Sequence, residues 1–206
     1  MAIQLKIQIQ GIKNPPVWRK LLIPDTFNFR QLHYAIQLAF GWGCCHLYQF
    51  EKQAYSHDWI IREPQEEDDF WSSEPFLAAK TKVYTFVMYN GVKSFVYVYD
   101  FGDSWVHKIT IETVTKDKIT TPFCLAGKGD TPPEDCGGVY GYEELKELFT
   151  KDPKDLTEEE QERIDWAMDI KEEMRFNEFD ILQVNEDLST FKTFEKEMNR
   201  LWGYKK

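Results

Sequence analysis

Residues 94–112 read SFVYVYDFGDSWVHKITIE, and the parity of this stretch decides how the chain folds. Phe95, Tyr97, Tyr99 and Phe101 alternate with Val96 and Val98, the two-residue period of a β-strand that is apolar on both faces. From 105 to 112 the alternation is amphipathic. Trp105, His107, Ile109 and Ile111 fall on one face, and Val106, Lys108, Thr110 and Glu112 on the other. The residues between the runs carry turn chemistry, so the runs are expected to form a hairpin. An odd-length loop, such as 102–104, sets Tyr99 across from His107 and Tyr97 across from Ile109, giving one continuous apolar face. A slip by one residue moves the whole apolar set to the other face, so the odd loop is expected. His107 then becomes a buried core histidine on the tyrosine face. Gly102 becomes the turn residue whose backbone angles exclude a β-branched side chain. Asp100 and Asp103 flank the turn, where aspartate tolerates left-handed geometry and bonds nearby N–H groups.

Beyond the hairpin, residues 124–138 read CLAGKGDTPPEDCGG. Two prolines stiffen the approach and two glycines permit a tight exit into a helix near Tyr142. This loop is expected to fold back on the hairpin and close one end of the sheet. Glu134 or Asp135 should then meet a backbone N–H, a basic side chain such as Arg19, or a bound cation.

Toward the N-terminus, Ile3, Leu5, Ile7 and Ile9 alternate with polar residues, and residues 17–23 (VWRKLLI) form a second strand ended by Pro24. Thr26 or Asn28 can cap a helix carrying Phe29, Leu32, Ala35, Ile36, Ala39 and Phe40, stopped by Gly41, with His33 partly exposed at the stripe's edge. Residues 46–50 and 59–61 read as short strands. The acidic run 66–70 (EEDDF) reads as a polar excursion, and residues 83–89 (VYTFVMY) read as a strand entering a hairpin at Asn90-Gly91. C-terminal to the loop, Thr157 with Glu160 is a capping-box pattern for a helix to about residue 175. Residues 176–184 read as a connector, and Asn185 or Ser189 as the cap of a last helix with a wide apolar stripe. The expected class is α+β: a twisted, mostly antiparallel sheet with a helix packed across it, and C-terminal helices. The expected organisation is a domain over 1–150 and a helical extension over 151–206 packed on it.

The chain has 206 residues, a net charge of −10 and 16% aromatic residues, enough for one good-sized core. It shows neither a leader nor an apolar run long enough to span a bilayer. Its cysteines are Cys44, Cys45, Cys124 and Cys136, and the adjacent pair is a poor disulfide framework, so a cytoplasmic setting is expected. Acidity disfavours nucleic acid, which is bound through phosphate neutralisation. Lys6, Lys13, Arg19, Lys20 and Arg30 would be the basic face of any DNA-associated reading.

Taken together, Val17-Trp18-Arg19, Leu32-His33, Phe40-Gly41-Trp42, His46-Leu47, the run from Tyr97 through Asp100-Phe101-Gly102-Asp103 to Trp105 and His107, and residues 132–138 with Gly141-Tyr142 resemble the plasmid pRiA ORF-3-like family. That family includes so-called TnpR passenger proteins of insertion elements. The resemblance implies an α+β domain of unsettled biochemical function; the mobile-element company is genomic and says nothing of mechanism. Relatives often carry a cysteine before the Pro-Pro pair where this chain has Thr131, which makes a cysteine-rich metal site less expected here.

Three functional readings follow. The first is a non-enzymatic binding module with an acidic and aromatic groove. Trp42, Tyr99, Trp105 and His107 would give contact area, Asp100, Asp103, Glu134 and Asp135 the polar contacts, and the partner would be a protein or a small cationic ligand. No cofactor is expected in that case. The second is a zinc protein, or a hydrolase on the same side chains, with His46, His107, Cys124 and Cys136 as ligands. Here the spacing gives little support, and Gly127-Lys128-Gly129 lacks the strand and helix of a phosphate-binding loop. The third is a DNA-associated accessory protein.

Overall fold

A computed structural model describes residues 1–56, 58–64, 76–171 and 174–204. Among them eight strands form one sheet. In chain order the elements are β1 (Ala2–Ile9), β2 (Trp18–Pro24), α1 (Phe29–Phe40), β3 (Tyr48–Glu51), β4 (Ile60–Arg62), β5 (Phe76–Leu77), α2 (Val83–Tyr89), β6 (Ser94–Tyr99), β7 (Trp105–Thr115), β8 (Phe123–Lys128), α3 (Gly138–Leu148), α4 (Glu158–Ile170), α5 (Ile181–Ser189) and α6 (Phe191–Leu201). The strand order is β5-β4-β3-β6-β7-β1-β2-β8, antiparallel throughout except for the β4–β5 pair. The α+β class, the antiparallel sheet and the C-terminal helices all stand. The acidic run 66–70 lies outside the described residues.

The sheet buries one face under α1. Ile3, Leu5, Ile7 and Ile9 are fully buried on β1, while Gln4, Lys6 and Gln8 are half-exposed on its other face. Asn28 caps α1 in a capping box with Gln31, and Gly41 ends it at φ 68°. Between these ends only Arg30 and Gln31 escape full burial, because the helix is covered by the sheet below and by α5 and α6 above. Phe27 stacks on Phe191 at 4.8 Å and Tyr34 meets Phe194 edge-on, which fastens the C-terminal helices to α1.

Four expectations change. The β6–β7 hairpin keeps odd parity, but the loop is the five residues 100–104, and the pairs are Tyr97 with His107 and Tyr99 with Trp105. Register is thus two residues away from the expected pairing, which leaves every side chain on the expected face. Gly102 is not in the left-handed region. Asp100 (φ 55°) and Ser104 (φ 54°) turn the chain instead, and the Asp100 carboxylate accepts the Gly102 N–H. Residues 83–89 form a helix rather than a strand, with Val83, Phe86 and Val87 buried at helical spacing against Phe29 and Trp59. A seven-residue apolar run satisfies either period, and packing decides it; Asn90-Gly91 ends this helix instead of turning a hairpin. Finally, α4 stops at Ile170, and the last apolar stretch is two helices. The first is capped by Asp180 rather than Asn185 or Ser189, and Asn185 spends its side chain on the backbone of Cys124.

Candidate functional site

The site lies where three segments meet: the turn after α1 (residues 42–47), the β6–β7 turn and the Pro-Pro loop. Trp42 leaves the end of α1 and donates its indole N–H to the Pro132 carbonyl at 2.9 Å. That bond brings Glu134 under the turn. One Glu134 oxygen accepts the Gly43 N–H at 2.6 Å; the other accepts from the Tyr99 hydroxyl and from the Cys45 thiol at 3.4 Å. The Tyr99 oxygen in turn accepts the Cys45 N–H at 3.1 Å, so one hydroxyl and one carboxylate order the whole turn. On the other side of the loop, Asp103 accepts the Gly137 N–H at 3.1 Å. Gly138, at φ 66°, passes so close to Asp103 that an added Cβ would lie 2.4 Å from its carbonyl oxygen. The loop therefore does fold back on the hairpin and closes that end of the sheet. Glu134 has found a backbone N–H as its partner, and Arg19 bonds elsewhere.

His46 follows directly from that turn. Its Nε2 is 3.1 Å from an Asp135 oxygen and 3.8 Å from an Asp100 oxygen, and it makes no hydrogen bond of good geometry although the atom itself is shielded from solvent. Two triads of metal-competent donors share this histidine: Cys45, His46 and Glu134, and His46, Asp100 and Asp135, each with its donor atoms within 4.8 Å of one another. Among the described residues, no lysine or arginine comes within 4 Å of Asp100, Glu134 or Asp135. Three site residues that are not glycine, Cys44, Asp100 and Asp135, hold positive φ angles of 58°, 55° and 59°. Such conformations cost about 1–3 kcal/mol each and persist where the surroundings impose them.

The aromatic members of the expected groove do not form its wall. Trp42, Tyr99, Trp105 and His107 are buried and make up the floor beneath the cluster, with Trp42 stacked on Tyr99 at 5.2 Å. Aromatic rings on a sheet face under a helix are core, and Tyr99, itself fully buried, touches the cluster only through its hydroxyl on Glu134. His107 sits among Phe40, Trp42 and Tyr97, its Nδ1 on the Trp105 carbonyl at 3.0 Å. Burial lowers its pKa to about 4, so the ring is neutral. Asp103 belongs to the loop clasp and not to the donor cluster.

The zinc set expected from His46, His107, Cys124 and Cys136 does not assemble. Cys124 lies on β8 beside Asn185 with its thiol toward the Ala126 carbonyl, and Cys136 turns its thiol to the Gly138 carbonyl. Neither joins His46, and neither does His107. All four cysteines are free thiols. Cys45 takes the place that Cys124 and Cys136 were expected to fill. The available signal was its position directly before His46 and just past a helix stop. His33 is also corrected: it is buried, stacked on Tyr48 at 3.7 Å, with Nδ1 at 2.7 Å from the Tyr97 hydroxyl and Nε2 at 3.0 Å from the Cys44 sulfur. This is a Cys-His pair by distance. Burial pushes the Cys44 thiol up to about 12 and holds His33 well below the usual imidazole range, so the pair is neutral and sealed from substrate. Burial first, and Glu134 second, also raise the Cys45 thiol.

Among comparisons with known proteins, a family model described as plasmid pRiA4b ORF-3-like protein matches residues 1–187. The chain is 36% identical over 167 residues to the uncharacterized protein y4hQ of Sinorhizobium fredii, covering 81% of this chain and 80% of that one. In structure it is similar to MM3350 from Methanosarcina mazei Go1, a crystal structure titled as a protein of unknown function. The TM-score is 0.71 and the identity 30%, over 88% of this chain and 96% of the other.

Proposed function

Because the chain belongs to the plasmid pRiA4b ORF-3-like family, whose relatives named above bring no activity with them, we propose its function from its own geometry: it is a cation-binding module. Its ligand is a divalent metal ion of the zinc class, held at the end of the sheet. The observation that carries this is the meeting of Asp100, Glu134 and Asp135 around His46 with no lysine or arginine to neutralise them among the described residues. Asp100 and Asp135 share one triad with His46 and Glu134 the adjoining one with Cys45, so a cation beside His46 would meet opposite charge from either side. Mixed imidazole, thiol and carboxylate donors suit a borderline metal. Ligands about 2.0–2.2 Å from a tetrahedral zinc stand roughly 3.3–3.6 Å apart, and the His46 separations of 3.1 and 3.8 Å need little movement to reach this. His46, Asp100 and Asp135 would be the first ligands, with Cys45 and Glu134 at the adjoining triad.

A second reading keeps the same carboxylates and gives them a basic side chain of a partner protein; exposed Leu47 and Phe101, neighbours of His46 and Asp100 in sequence, would flank it. Catalysis by a cysteine finds little support, since the thiols at hand are held protonated. For DNA, the N-terminal cations do not make a face: Arg19 is buried, and Arg30 and Lys20 are paired with Glu63 and Glu112. Free thiols support a cytoplasmic setting, and among the described residues no helix is long and apolar enough to cross a membrane.

The test is metal content of protein purified without chelator, followed by calorimetric titration of the stripped protein with zinc and manganese. One equivalent bound, and lost in His46→Ala and Asp135→Asn, is expected. Full binding in His46→Ala would overturn the metal reading. Failure of every divalent ion, with a lysine-rich peptide bound instead, would favour the second.

A further inference from the structure

A second polar centre lies between β2, the start of the Pro-Pro loop and the C-terminal helices, apart from the residues of the cation site. Arg19 is 3% exposed, yet none of its hydrogen bonds goes to a carboxylate. Its Nε donates to the Ala39 carbonyl, its Nη1 to the carbonyls of Trp18, Lys128 and Gly129, and its Nη2 to the Thr131 hydroxyl. A guanidinium has five N–H groups, so one hydrogen of Nη2 remains unused. Lys171 reaches the same threonine from the other side: its ammonium donates to the Thr131 carbonyl at 2.8 Å and to Asp130. It too keeps one N–H in hand. Two cations thus converge on Thr131 and one carboxylate, Asp130, answers them, so these three groups together keep a charge of +1.

Both spare donors belong to side chains that line an open cleft of about 490 Å³, within the usual range for small-molecule sites. Phe179, Ile181 and Val184 give the same cleft an apolar part. The Phe179 ring lies 4.6 Å from the Arg19 guanidinium, and β8 makes room for it with Gly127, where an added Cβ would lie 2.5 Å from the ring. Arg175, Glu178, Asp180 and Asp187 also line the cleft, so the positive charge is local to the Thr131 end, and the acidic groups beyond it would repel a multiply charged ligand most. Buried charges are ordinarily paired with an opposite charge, whereas Arg19 has no carboxylate bonded to it and feels Asp130 only at a distance. Burial lowers the Arg19 pKa to about 10, and nearby Cys124 and Asp130 offset this only in part.

We propose that this cleft binds a small organic acid, its single carboxylate held by Arg19 Nη2 and Lys171 Nζ and its apolar body laid against Phe179, Ile181 and Val184. Thr131 acts as the positioning residue that holds both donors.

The experiment titrates the full chain with hexanoate and phenylacetate, and with their neutral amides, following the methyl resonances of Ile181 and Val184. The carboxylates should move these signals with saturation, and the amides should not. Lys171→Met should keep the fold, because Lys171 lies at the edge of the cleft. It should weaken carboxylate binding about tenfold or more, as loss of one charge-assisted hydrogen bond requires. Thr131→Val should weaken it similarly, while His46→Ala should leave it unchanged. No response to either acid in the millimolar range would overturn the proposal. So would equal binding of acids and amides, undiminished binding in Lys171→Met, or response to inorganic phosphate alone.

Discussion

Glu134→Gln is the perturbation most directly set by the geometry of the cation site. The carboxylate accepts on both oxygens: from the Gly43 N–H on one, and from the Tyr99 hydroxyl and the Cys45 thiol on the other. A carboxamide presents one acceptor and one donor. Whichever way it is turned, an NH₂ faces either the Gly43 N–H or the Tyr99 hydroxyl. The tyrosine can rotate its hydrogen away, but its oxygen already accepts from the Cys45 N–H and would have to accept from the amide as well. A hydrogen bond to a charged acceptor contributes about 1.5–3 kcal/mol. Glu134 is half-exposed, so water recovers part of the loss, and about 1–2 kcal/mol is the expected net cost. For a chain of this length each kcal/mol lowers Tm by about 2–4 °C, so a fall of roughly 2–8 °C follows. Differential scanning calorimetry of metal-stripped protein measures it. Asp135→Asn is the control. Its side chain is 64% exposed and, among the described residues, pairs with His46 alone, so Tm should move by less than about 2 °C. Equal melting temperatures for wild type and Glu134→Gln, or a larger fall for Asp135→Asn, would refute the assignment of Glu134 as the strut of the loop and Asp135 as a ligand.

Other outcomes follow from the same coordinates. Gly138→Ala should unfold or strongly destabilise the chain, because its Cβ would fall 2.4 Å from a backbone oxygen at a left-handed position, whereas Gly102→Ala should cost little; chemical denaturation of both variants compares them. His107 is depressed from 6.5 to about 4 by burial, so the unfolded chain binds the proton first: its contribution is fully present above about pH 6.5 and is lost as pH falls toward 4. Urea midpoints measured across that window should drop for wild type, with a shallower slope in a folded His107→Gln variant; an unchanged slope would contradict the burial. In the native protein the exposed Cys45 should react with a thiol reagent well before the other three, and all four should react in denaturant. Two or more fast thiols would contradict the burial of Cys44, Cys124 and Cys136.

Local periodicity determined much of this protein before any tertiary contact was known. The alternation through 94–112, the capping residues Asn28 and Thr157 and the stop at Gly41 are short-range matters. Sterics and backbone hydrogen bonding decide them within a few residues, so the α+β class, the face of His107 and the start of α4 were legible. The Pro-Pro loop was legible too, because its stiffness and its glycines leave few ways to turn. Residues 83–89 were not, since an apolar run of that length fits a strand or a helix until Phe29 and Trp59 press on one side of it. Burial of two other polar residues was out of reach: Arg19 and His33 read as ordinary solvated or edge residues until the chain supplies carbonyls, hydroxyls and rings from positions far along the sequence. The donor cluster was half visible. His46, Asp100, Glu134 and Asp135 stood out by type, but which cysteine joins them depends on where the turn after α1 meets the loop. Trp42, by bonding Pro132 across 90 residues of sequence, decides that in favour of Cys45.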